Sequence, residues 1–286
     1  MRTRRRAALR RLAATPRGAI GVAFLASALF AASVGQSLTP YGATSQNLDE
    51  ILAPPTGAHW FGTDDLGRDV FTRTVFGART SLLVGVGSVG VAVAVGAPIG
   101  MAAGYYRGAL DDVSMRILDG FLAFPALILA IAISAALGPG PGNVVVAIGT
   151  VTLPVFARLA RGQVLALREQ DMVAAARAVG LRDGRILSRY ILPNVASVLV
   201  IQGALSTGLA ILTEAGLSFL GLGIQPPIPS WGSMIEVGRG YLERAPWMSI
   251  FPGIAILVTV FGFNFTADSL LDALDPRLRR GRGAEP

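Results

Sequence analysis

The chain has 286 residues, of which 52% are hydrophobic and only 15% are charged, and its mean hydropathy is +0.56. Because soluble domains carry about 25% charged residues, this composition argues against a soluble protein, and the absence of cysteine excludes disulfides, zinc–thiolate sites and iron–sulfur clusters. The net charge of +7 comes from arginines at the ends of apolar runs, a pattern that indicates membrane topology and not nucleic-acid binding.

The apolar residues are grouped in runs close to the length of about 17–25 residues that crosses a hydrocarbon core of ~30 Å. Proline and glycine inside these runs are compatible with membrane helices, since neighbouring helices satisfy the freed backbone groups. The sequence therefore predicts an all-α polytopic membrane protein with six transmembrane helices, at residues 19–34, 81–103, 117–137, 144–159, 192–218 and 247–270.

The distribution of arginine predicts the orientation of the six crossings. Residues 1–17 contain seven arginines and no acid, and residues 158–189 contain seven arginines against three acids. Residues 38–79 show the opposite balance, with five acids and three arginines, while residues 105–116 are neutral. Both termini, including the Arg-rich tail, are therefore predicted to be cytoplasmic. A cleaved twin-arginine signal is the alternative for the N-terminus, but the first apolar run is long for one and lacks a clear cleavage site.

Four regions follow from this topology. Residues 1–37 form a basic N-terminus with the first helix, residues 38–79 an extracytoplasmic connector, residues 80–272 a five-helix membrane region, and residues 273–286 a basic cytoplasmic tail. A further outside stretch, residues 221–247, holds Trp231 and Trp247 as predicted interfacial anchors. This stretch is predicted either to contact a substrate-delivering protein or to cap the mouth of a pore.

The connector ends in a predicted helix start just before the second span. Thr63 or Asp64 is the predicted N-cap, which would place Asp69 near the positive end of the helix dipole, and Asp69 is expected to pair with Arg73 four residues on. The single histidine, His59, is interpreted as a surface or packing residue, because one imidazole does not make a metal site.

The cytoplasmic segment 169–193 is predicted to form an elbow of two helices joined by a glycine. Gly180 is well placed to end the first helix, and three alanines before it leave one side nearly bare. Asp183 is the predicted N-cap of the second helix, and Pro193 then lies in the first turn of the fifth span, where its missing N–H costs nothing. Such an elbow suits the docking of a soluble partner; the alternative is an amphipathic loop on lipid headgroups.

This segment resembles the EAA loop of ABC-importer permeases: Glu-Ala-Ala, three residues, Gly, nine residues, then Ile, any residue, Leu-Pro. Two positions depart from the family pattern, with Ala174 in place of Glu and Tyr190 in place of Ile. The resemblance implies a coupling helix that seats in a cleft of an ATP-hydrolysing subunit. The residues it implicates in coupling are Ala174, Ala175, Ala176, Gly180, Leu181, Leu192 and Pro193.

Four further blocks resemble the second permease of dipeptide and oligopeptide importers: "HWFGTDDLGRDVFTRTVFGARTSL", "GYYRGALDDVSMRILDGFLAFP", "LSFLGLGIQPPIPSWGSMI" and "DALDPRLR". The likeness covers nearly the whole chain after about residue 38. It implies a type I ABC-importer permease fold over residues 80–272, in the cell membrane of a prokaryote. It also implies three kinds of partner: a second, homologous permease in a heterodimer, two ABC ATPase subunits, and an extracytoplasmic substrate-binding protein.

The sequence contains no lysine and no G-x-x-x-x-G-K-[ST] motif, so ATP is expected to be bound by the partner subunits and no cofactor by this chain. No catalytic residue is predicted. Dipeptides or oligopeptides are the expected cargo, with nickel, glutathione or another small solute as alternatives within the same branch. The rival class is a self-sufficient secondary transporter, which would need an ion relay for which the sequence offers few buried acids.

Several polar residues fall within the predicted spans. Gln202, Thr213 and Glu214 belong to the fifth span and Asn264 to the sixth. An ionisable group at membrane depth is a functional candidate because its burial is costly, so these four residues are candidates for the translocation path. The alternative is structural hydrogen bonding to the backbone or to a neighbouring helix.

Overall fold

A computed structural model describes residues 15–274 of the chain, a helical assembly without a β-strand in that range. The first fourteen residues and the tail 275–286, on which part of the predicted orientation depends, lie outside the described residues. The α-helices, numbered in chain order, are α1 Pro16–Phe30, α2 Gln36–Leu38, α3 Val70–Tyr106, α4 Ala109–Leu122, α5 Ala126–Leu137, α6 Pro141–Arg168, α7 Asp171–Ala178, α8 Asp183–Ile186, α9 Leu192–Phe219, α10 Trp231–Gly238 and α11 Trp247–Leu274. Two π-helical turns, Ala31–Gly35 and Leu187–Ile191, and two 3-10 turns, Leu48–Glu50 and Arg239–Tyr241, complete the helical elements.

Five of the six predicted spans each lie inside one long apolar helix. These helices are Pro16–Gly35, Val70–Tyr106, Pro141–Arg168, Asp183–Phe219 and Trp247–Asp272, and each is long and apolar enough to cross a membrane. Several extend well beyond the predicted bounds, which indicates that they protrude from the hydrocarbon core.

The third predicted span differs from the prediction. Instead of one straight helix over residues 117–137, α4 and α5 meet at an angle of 89°, with Pro125 as the N-cap of α5. Proline lacks the N–H that would continue the helical hydrogen bonds and it restricts the residue before it, so the apolar run breaks here. The guanidinium of Arg161 in α6 holds α4 by a bidentate contact with Asp111, with Nε–Oδ1 and Nη2–Oδ2 distances of 2.5 and 2.6 Å. Residues 15–274 contain six candidate crossings if this bent pair counts as one.

Helices α3 and α6 pack with their backbones in close contact. Gly96, Gly100 and Gly104 lie four residues apart on the face of α3 that meets α6. A Cβ atom on Gly96 would lie 2.6 Å from the carbonyl oxygen of Leu153, and one on Gly100 would overlap the carbonyl group of Ala157. Small residues at this spacing allow membrane helices to approach closely, so α3 and α6 form a tightly packed pair.

Three buried apolar clusters lie along the molecule. The largest joins α3, α6 and α9 and includes Val84, Phe156, Val164 and Val195, and it extends into the cytoplasmic segment. A second cluster lies among α1, α3, α9, α10 and α11, and a third lies beneath the connector. Residues 169–193 and the connector are therefore both packed on the helices that they join.

The two tryptophans of the outside stretch differ in their exposure. Trp231 is only 2% exposed, and its Nε1 donates to the carbonyl oxygen of Thr74 in α3 at 2.9 Å. Trp247 is half-buried, and its Nε1 donates to the carbonyl oxygen of Thr63 at 3.0 Å. Both indoles bond to backbone acceptors inside the protein. The prediction is wrong for the buried Trp231, and for the half-buried Trp247 it stays a prediction.

The connector is held by buried polar contacts. The N-cap of α3 is Asp69, whose Oδ2 accepts from the Thr72 N–H at 2.7 Å, and not Thr63 or Asp64 as predicted. Arg73 approaches Asp64, at 3.4 Å, and not Asp69. The carboxylate of Asp69 is instead occupied by His59, whose Nδ1 lies 2.8 Å from Oδ1.

Candidate coupling site

The first helix of the cytoplasmic elbow, which we define as residues 169–193, ends where the sequence predicts. After α7, Gly180 has a φ of +76°, and the N–H of Leu181 donates to the carbonyl oxygen of Ala176 at 3.1 Å. Glycine adopts this left-handed conformation at little cost, which is why it often ends helices. A Cβ atom on Gly180 would meet nothing within 4 Å, so its surroundings in this chain are open.

The alanines of α7 are divided between two faces. Ala176 is only 5% exposed and joins the fully buried Val173 in the main core. Ala174 and Ala175 are exposed, and Val179 at the C-cap is 75% exposed. The prediction of one bare alanine face is therefore corrected, since two of the three alanines face outwards and the third anchors the helix.

Sequence reasoning missed these anchors. Val173 and Ala176 lie three residues apart and therefore on one side of α7, and Ile186 in α8 is also fully buried in the same cluster. The i, i+3 spacing of Val173 and Ala176 is a readable signal, but alanine-rich helices give a weak apolar pattern.

The second half of the elbow continues into the fifth span as helix, with one π-turn on the way. Residues Asp183–Phe219 form one helical rod of 37 residues, about 55 Å long at 1.5 Å per residue. Asp183 is the first residue of α8 and not its N-cap, which is Arg182. Pro193 is the second residue of α9 and so lies in its first turn, as predicted, directly after a π-turn.

A π-turn accommodates this proline. In the turn Leu187–Ile191 the N–H of Leu192 donates to the carbonyl oxygen of Leu187, and the amide Nδ2 of Asn194 donates to the carbonyl oxygen of Tyr190 at 2.7 Å. Such turns commonly accompany a break in the regular helical hydrogen bonds. Leu192 is 42% exposed and Pro193 is half-buried.

The predicted pathway residue Glu214 is completely buried within this chain. Its Oε2 accepts from the Ser81 hydroxyl of α3 at 3.2 Å, and its Oε1 accepts from the Ser218 hydroxyl at 2.9 Å. Ser81 in turn accepts from the N–H of Trp231 at 3.2 Å. These contacts join α3, α9 and α10. They are structural hydrogen bonds of the kind that the sequence analysis gave as the alternative to a role in the translocation path.

The other three predicted pathway residues are partly exposed and do not converge on one point. Gln202 donates to the Ser206 hydroxyl at 3.2 Å, and the Thr213 hydroxyl donates to a carbonyl in its own helix. Gln202 and Thr213 are eleven residues apart on α9, or about 16 Å along its axis. Asn264 on α11 faces α9 near Gly208.

Residues 96–280 match the family model described as the binding-protein-dependent transport system inner membrane component. The chain belongs to this family. The matched residues begin within α3 and run beyond the end of α11, so they include the elbow, the fifth span and the outside stretch. Membership gives the molecule the type I ABC permease fold and places it in the inner membrane as the permease component of a transport system.

Curated relatives resemble the chain over most of its length. The dipeptide transport system permease protein DppC of Alkalihalophilus pseudofirmus is 45% identical over 260 residues, covering 91% of this chain and 86% of the relative. The glutathione transport system permease protein GsiD of Pectobacterium atrosepticum is 46% identical over 245 residues, covering 85% and 81%. GsiD of Escherichia coli O1:K1 is 43% identical over 243 residues, covering 85% and 80%. The permease family works with ATPase and binding-protein partners, and its relatives are named for more than one cargo.

Proposed function

We propose that this permease is one half of the pore of an ATP-driven importer of dipeptides or oligopeptides. A second, homologous permease supplies the other half in a heterodimer, two ABC ATPase subunits bind and hydrolyse ATP, and an extracytoplasmic protein delivers the cargo. The observation that carries this proposal is the elbow, which exposes one face of α7 and continues as a single rod through the fifth span.

The elbow is proposed to be the seat of an ATPase subunit. Ala174, Ala175 and Gly180 are exposed and carry little or no side chain, so a cleft in a partner can approach the backbone closely. Closure of the ATPases on ATP then moves the elbow and rocks the fifth span with it. This coupling requires that the inward-open and outward-open states offer the ATPases different contacts at the elbow. Leu181, Leu192 and Pro193 support the elbow at its junctions.

The translocation path is proposed to pass the partly exposed polar side chains of the last two spans. Gln202, Thr213 and Asn264 supply hydrogen-bonding groups there, which a peptide backbone can use. Glu214 is proposed to support this wall from behind through its bonds to Ser81 and Ser218. An uncompensated carboxylate at this depth would be costly, whereas one bonded by two hydroxyls is partly compensated.

The cargo assignment is supported by the names of the relatives, which refer to dipeptides and to glutathione, itself a peptide. Nickel is the alternative of different chemistry, and a self-sufficient secondary transporter is the alternative of different mechanism. Uptake of a labelled dipeptide, glutathione and nickel by a deletion strain, with and without the restored gene, distinguishes the first two. Peptide uptake that depends on the gene supports the proposal, and uptake of nickel alone contradicts it.

The dependence on separate ATPases is tested by purification from the native membrane. We expect an ATPase pair to accompany the chain, and loss of uptake when the ATPases carry a substitution that prevents hydrolysis. Uptake that persists without the ATPases would assign the chain to the secondary transporters.

The elbow itself is tested by a matched pair of substitutions, Gly180→Phe and Gly138→Phe. Both glycines follow a helix and have positive φ values, of 76° and 83°, and a Cβ atom on either would meet nothing within 4 Å. Gly138 also has a ψ of 172°, a conformation that side chains adopt even less readily, so its substitution is the more severe control for backbone strain. Gly180→Phe should abolish uptake while membrane insertion persists, and Gly138→Phe should retain most of the uptake. Equal uptake by the two variants would contradict the seat at the elbow.

A further inference from the structure

Tyr105, at the cytoplasmic end of α3, is buried against the elbow with only 4% of its surface exposed. Its hydroxyl donates to Oδ1 of Asp183, the first residue of α8, at 2.7 Å. The guanidinium carbon of Arg177, in α7, lies 5.2 Å from the centroid of its ring. Its backbone carbonyl accepts from Nη1 of Arg168, at the end of α6, at 2.9 Å. One tyrosine therefore contacts the three helices that enter, form and leave the elbow.

These contacts lie on both sides of the flexible point of the elbow. Arg177 precedes Gly180 and Asp183 follows it, so Tyr105 holds the two arms at a fixed angle to each other. Tyr105 itself follows directly after Gly104, the last glycine of the α3 face that packs on α6. The tyrosine consequently fixes both arms of the elbow to the tightly packed α3–α6 pair.

The covalent route from the elbow to the fifth span is less rigid. It passes through the π-turn Leu187–Ile191 and Pro193, where regular helical hydrogen bonds are interrupted. The buried Val173 and Ile186 provide apolar contacts, which have no preferred direction. Within residues 15–274, the bond from Tyr105 to Asp183 is the one side-chain hydrogen bond between α8 and a helix outside its own rod.

We propose that Tyr105 is the positioning residue of the coupling elbow, and that it makes the elbow move as one body with the α3–α6 pair. This inference rests on the proposed seat of the ATPase at the elbow. When the hydrogen bond is absent, a push on α7 is absorbed by rotation about Gly180 and bending at the π-turn. ATP hydrolysis then continues while less of the movement reaches the membrane helices.

The position of the elbow can be measured without reference to any cargo. The chain has no cysteine, so cysteines introduced at Ser188 on the elbow and at Ala166 on α6, both exposed, accept spin labels without background from this chain. The distance distribution between the labels is recorded in the purified transporter in lipid nanodiscs. Tyr105→Phe should broaden this distribution.

Tyr106→Phe is the matched control. Tyr106 is the next residue, its side chain is 54% exposed, and its hydroxyl makes no hydrogen bond within the described part of the chain. This variant should leave the distribution unchanged. Equal widths for Tyr105→Phe and Tyr106→Phe would overturn the proposal, whatever the cargo or the energy source of the transporter. A failure to purify any ATPase would instead contradict the proposed function.

The functional readout is the amount of cargo transported per ATP hydrolysed, measured with the peptide that the uptake assay identifies. Tyr105→Phe should lower this ratio by about two- to tenfold, the factor expected for one hydrogen bond, with ATP hydrolysis retained. A structural defect would reduce transport and hydrolysis together, so a parallel loss of both contradicts the positioning role.

Substitutions of the acceptor separate the bond from the tyrosine ring. Asp183→Asn keeps an acceptor oxygen and should retain most of the cargo transported per ATP hydrolysed. Asp183→Ala should lower this amount as Tyr105→Phe does. The double variant Tyr105→Phe/Asp183→Ala should be no worse than either single variant, because both remove the same bond. Additive losses would show that the two residues act separately and would overturn the proposal.

Discussion

The connector and the elbow, which are predicted to lie on opposite sides of the membrane, differ in how their charged side chains are paired. In the connector and the start of α3, six polar or charged residues are each 6% exposed or less: His59, Thr63, Asp64, Arg68, Asp69 and Arg73. In the elbow, Arg182, Arg185 and Arg189 are exposed and form no ion pair with another residue of the described range. Both segments are charged and both join membrane helices, but the connector buries and pairs its arginines, whereas the elbow exposes these three.

This difference suggests that the connector contributes mainly to the stability of the chain and the elbow mainly to its coupling with the ATPases. The connector is organised before any partner arrives, because its carboxylates and guanidinium groups already bond one another. The elbow leaves cationic groups in water, where a partner with an acidic surface can use them. Substitutions in the connector are therefore expected to lower the stability of the isolated chain, and substitutions on the exposed elbow to affect the assembled transporter.

The largest expected loss of stability follows Asp64→Ala. This carboxylate accepts from Nε of Arg68 at 2.7 Å, lies 3.4 Å from Nε of Arg73, and accepts from two backbone N–H groups. Removing it leaves the buried guanidinium of Arg73 with no carboxylate and that of Arg68 with Asp65 alone. Breaking a buried ion pair in this way costs about 3–5 kcal/mol. Thermal unfolding in detergent measures the loss. Asp49→Ala, an exposed acid of the same connector, is the control and should stay within about 0.5 kcal/mol of the original chain.

A second comparison uses two glycines with similar backbone conformations, Gly67 in the connector and Gly180 in the elbow, with φ values of +67° and +76°. A Cβ atom on Gly67 would overlap the carbonyl of Asn47, whereas one on Gly180 meets nothing within 4 Å. Gly67→Ala should therefore cost about 2–4 kcal/mol, from strain and overlap together. Gly180→Ala should cost only the strain, about 1–2 kcal/mol. Equal losses would contradict the claim that the connector is closely packed and the elbow open.

The sequence predicts the class, the number of crossings and the turn at Gly180, because these depend on the length of apolar runs and on local chemistry. It does not predict the 89° bend of the third crossing, since Pro125 is compatible with both a straight and a broken membrane helix. Composition alone shows that the apolar run 117–137 is long enough to cross a membrane. The direction of α4 and α5 depends on their packing against α6.

Partners that are distant in sequence are also beyond prediction. Glu214 is recognisable as an unusual acid, but one of its donors, Ser81, is 133 residues away. Tyr105 belongs to a block that resembles the family, yet its role is hidden because its acceptor Asp183 lies 78 residues further on. The prediction of the N-cap of α3 was wrong for a local reason. Asp64 has the right chemistry, but the helix begins six residues later, and nearby arginines and backbone amides bind its carboxylate.

A smaller effect concerns the pH dependence of the connector. Burial lowers the pKa of His59, but its hydrogen bonds to Asp69 and Glu50 and the charges of these two acids outweigh burial, so the pKa lies above 6.5 in the folded protein. A raised pKa contributes stability that is fully present below the unfolded value of about 6.5 and is lost as the pH rises through the folded value.

The melting temperature should therefore fall as the pH rises from about 6 to 9, within the window that this histidine titrates. His59→Gln should show a flatter profile over the same range, because His59 is the only histidine of the chain. Parallel profiles for the two proteins would show that the Glu50–His59–Asp69 contacts do not stabilise the connector through charge.

The smallest effect on stability is expected where the effect on assembly is largest. Replacing Arg182, Arg185 and Arg189 together by alanine removes exposed charges without a partner in the described part of the chain, so the stability should change by no more than about 0.5 kcal/mol for each site. If these arginines contact an acidic surface of the ATPase, the triple variant should retain less ATPase after purification. The original complex should also lose ATPase as salt is raised from about 0.05 to 0.5 M, because salt screens exposed charges. A triple variant that is as stable and as well assembled as the original would indicate that the ATPase contacts only the apolar face of α7. The exposed arginines of the elbow would then be tolerated in solvent without contributing to the binding of the ATPase.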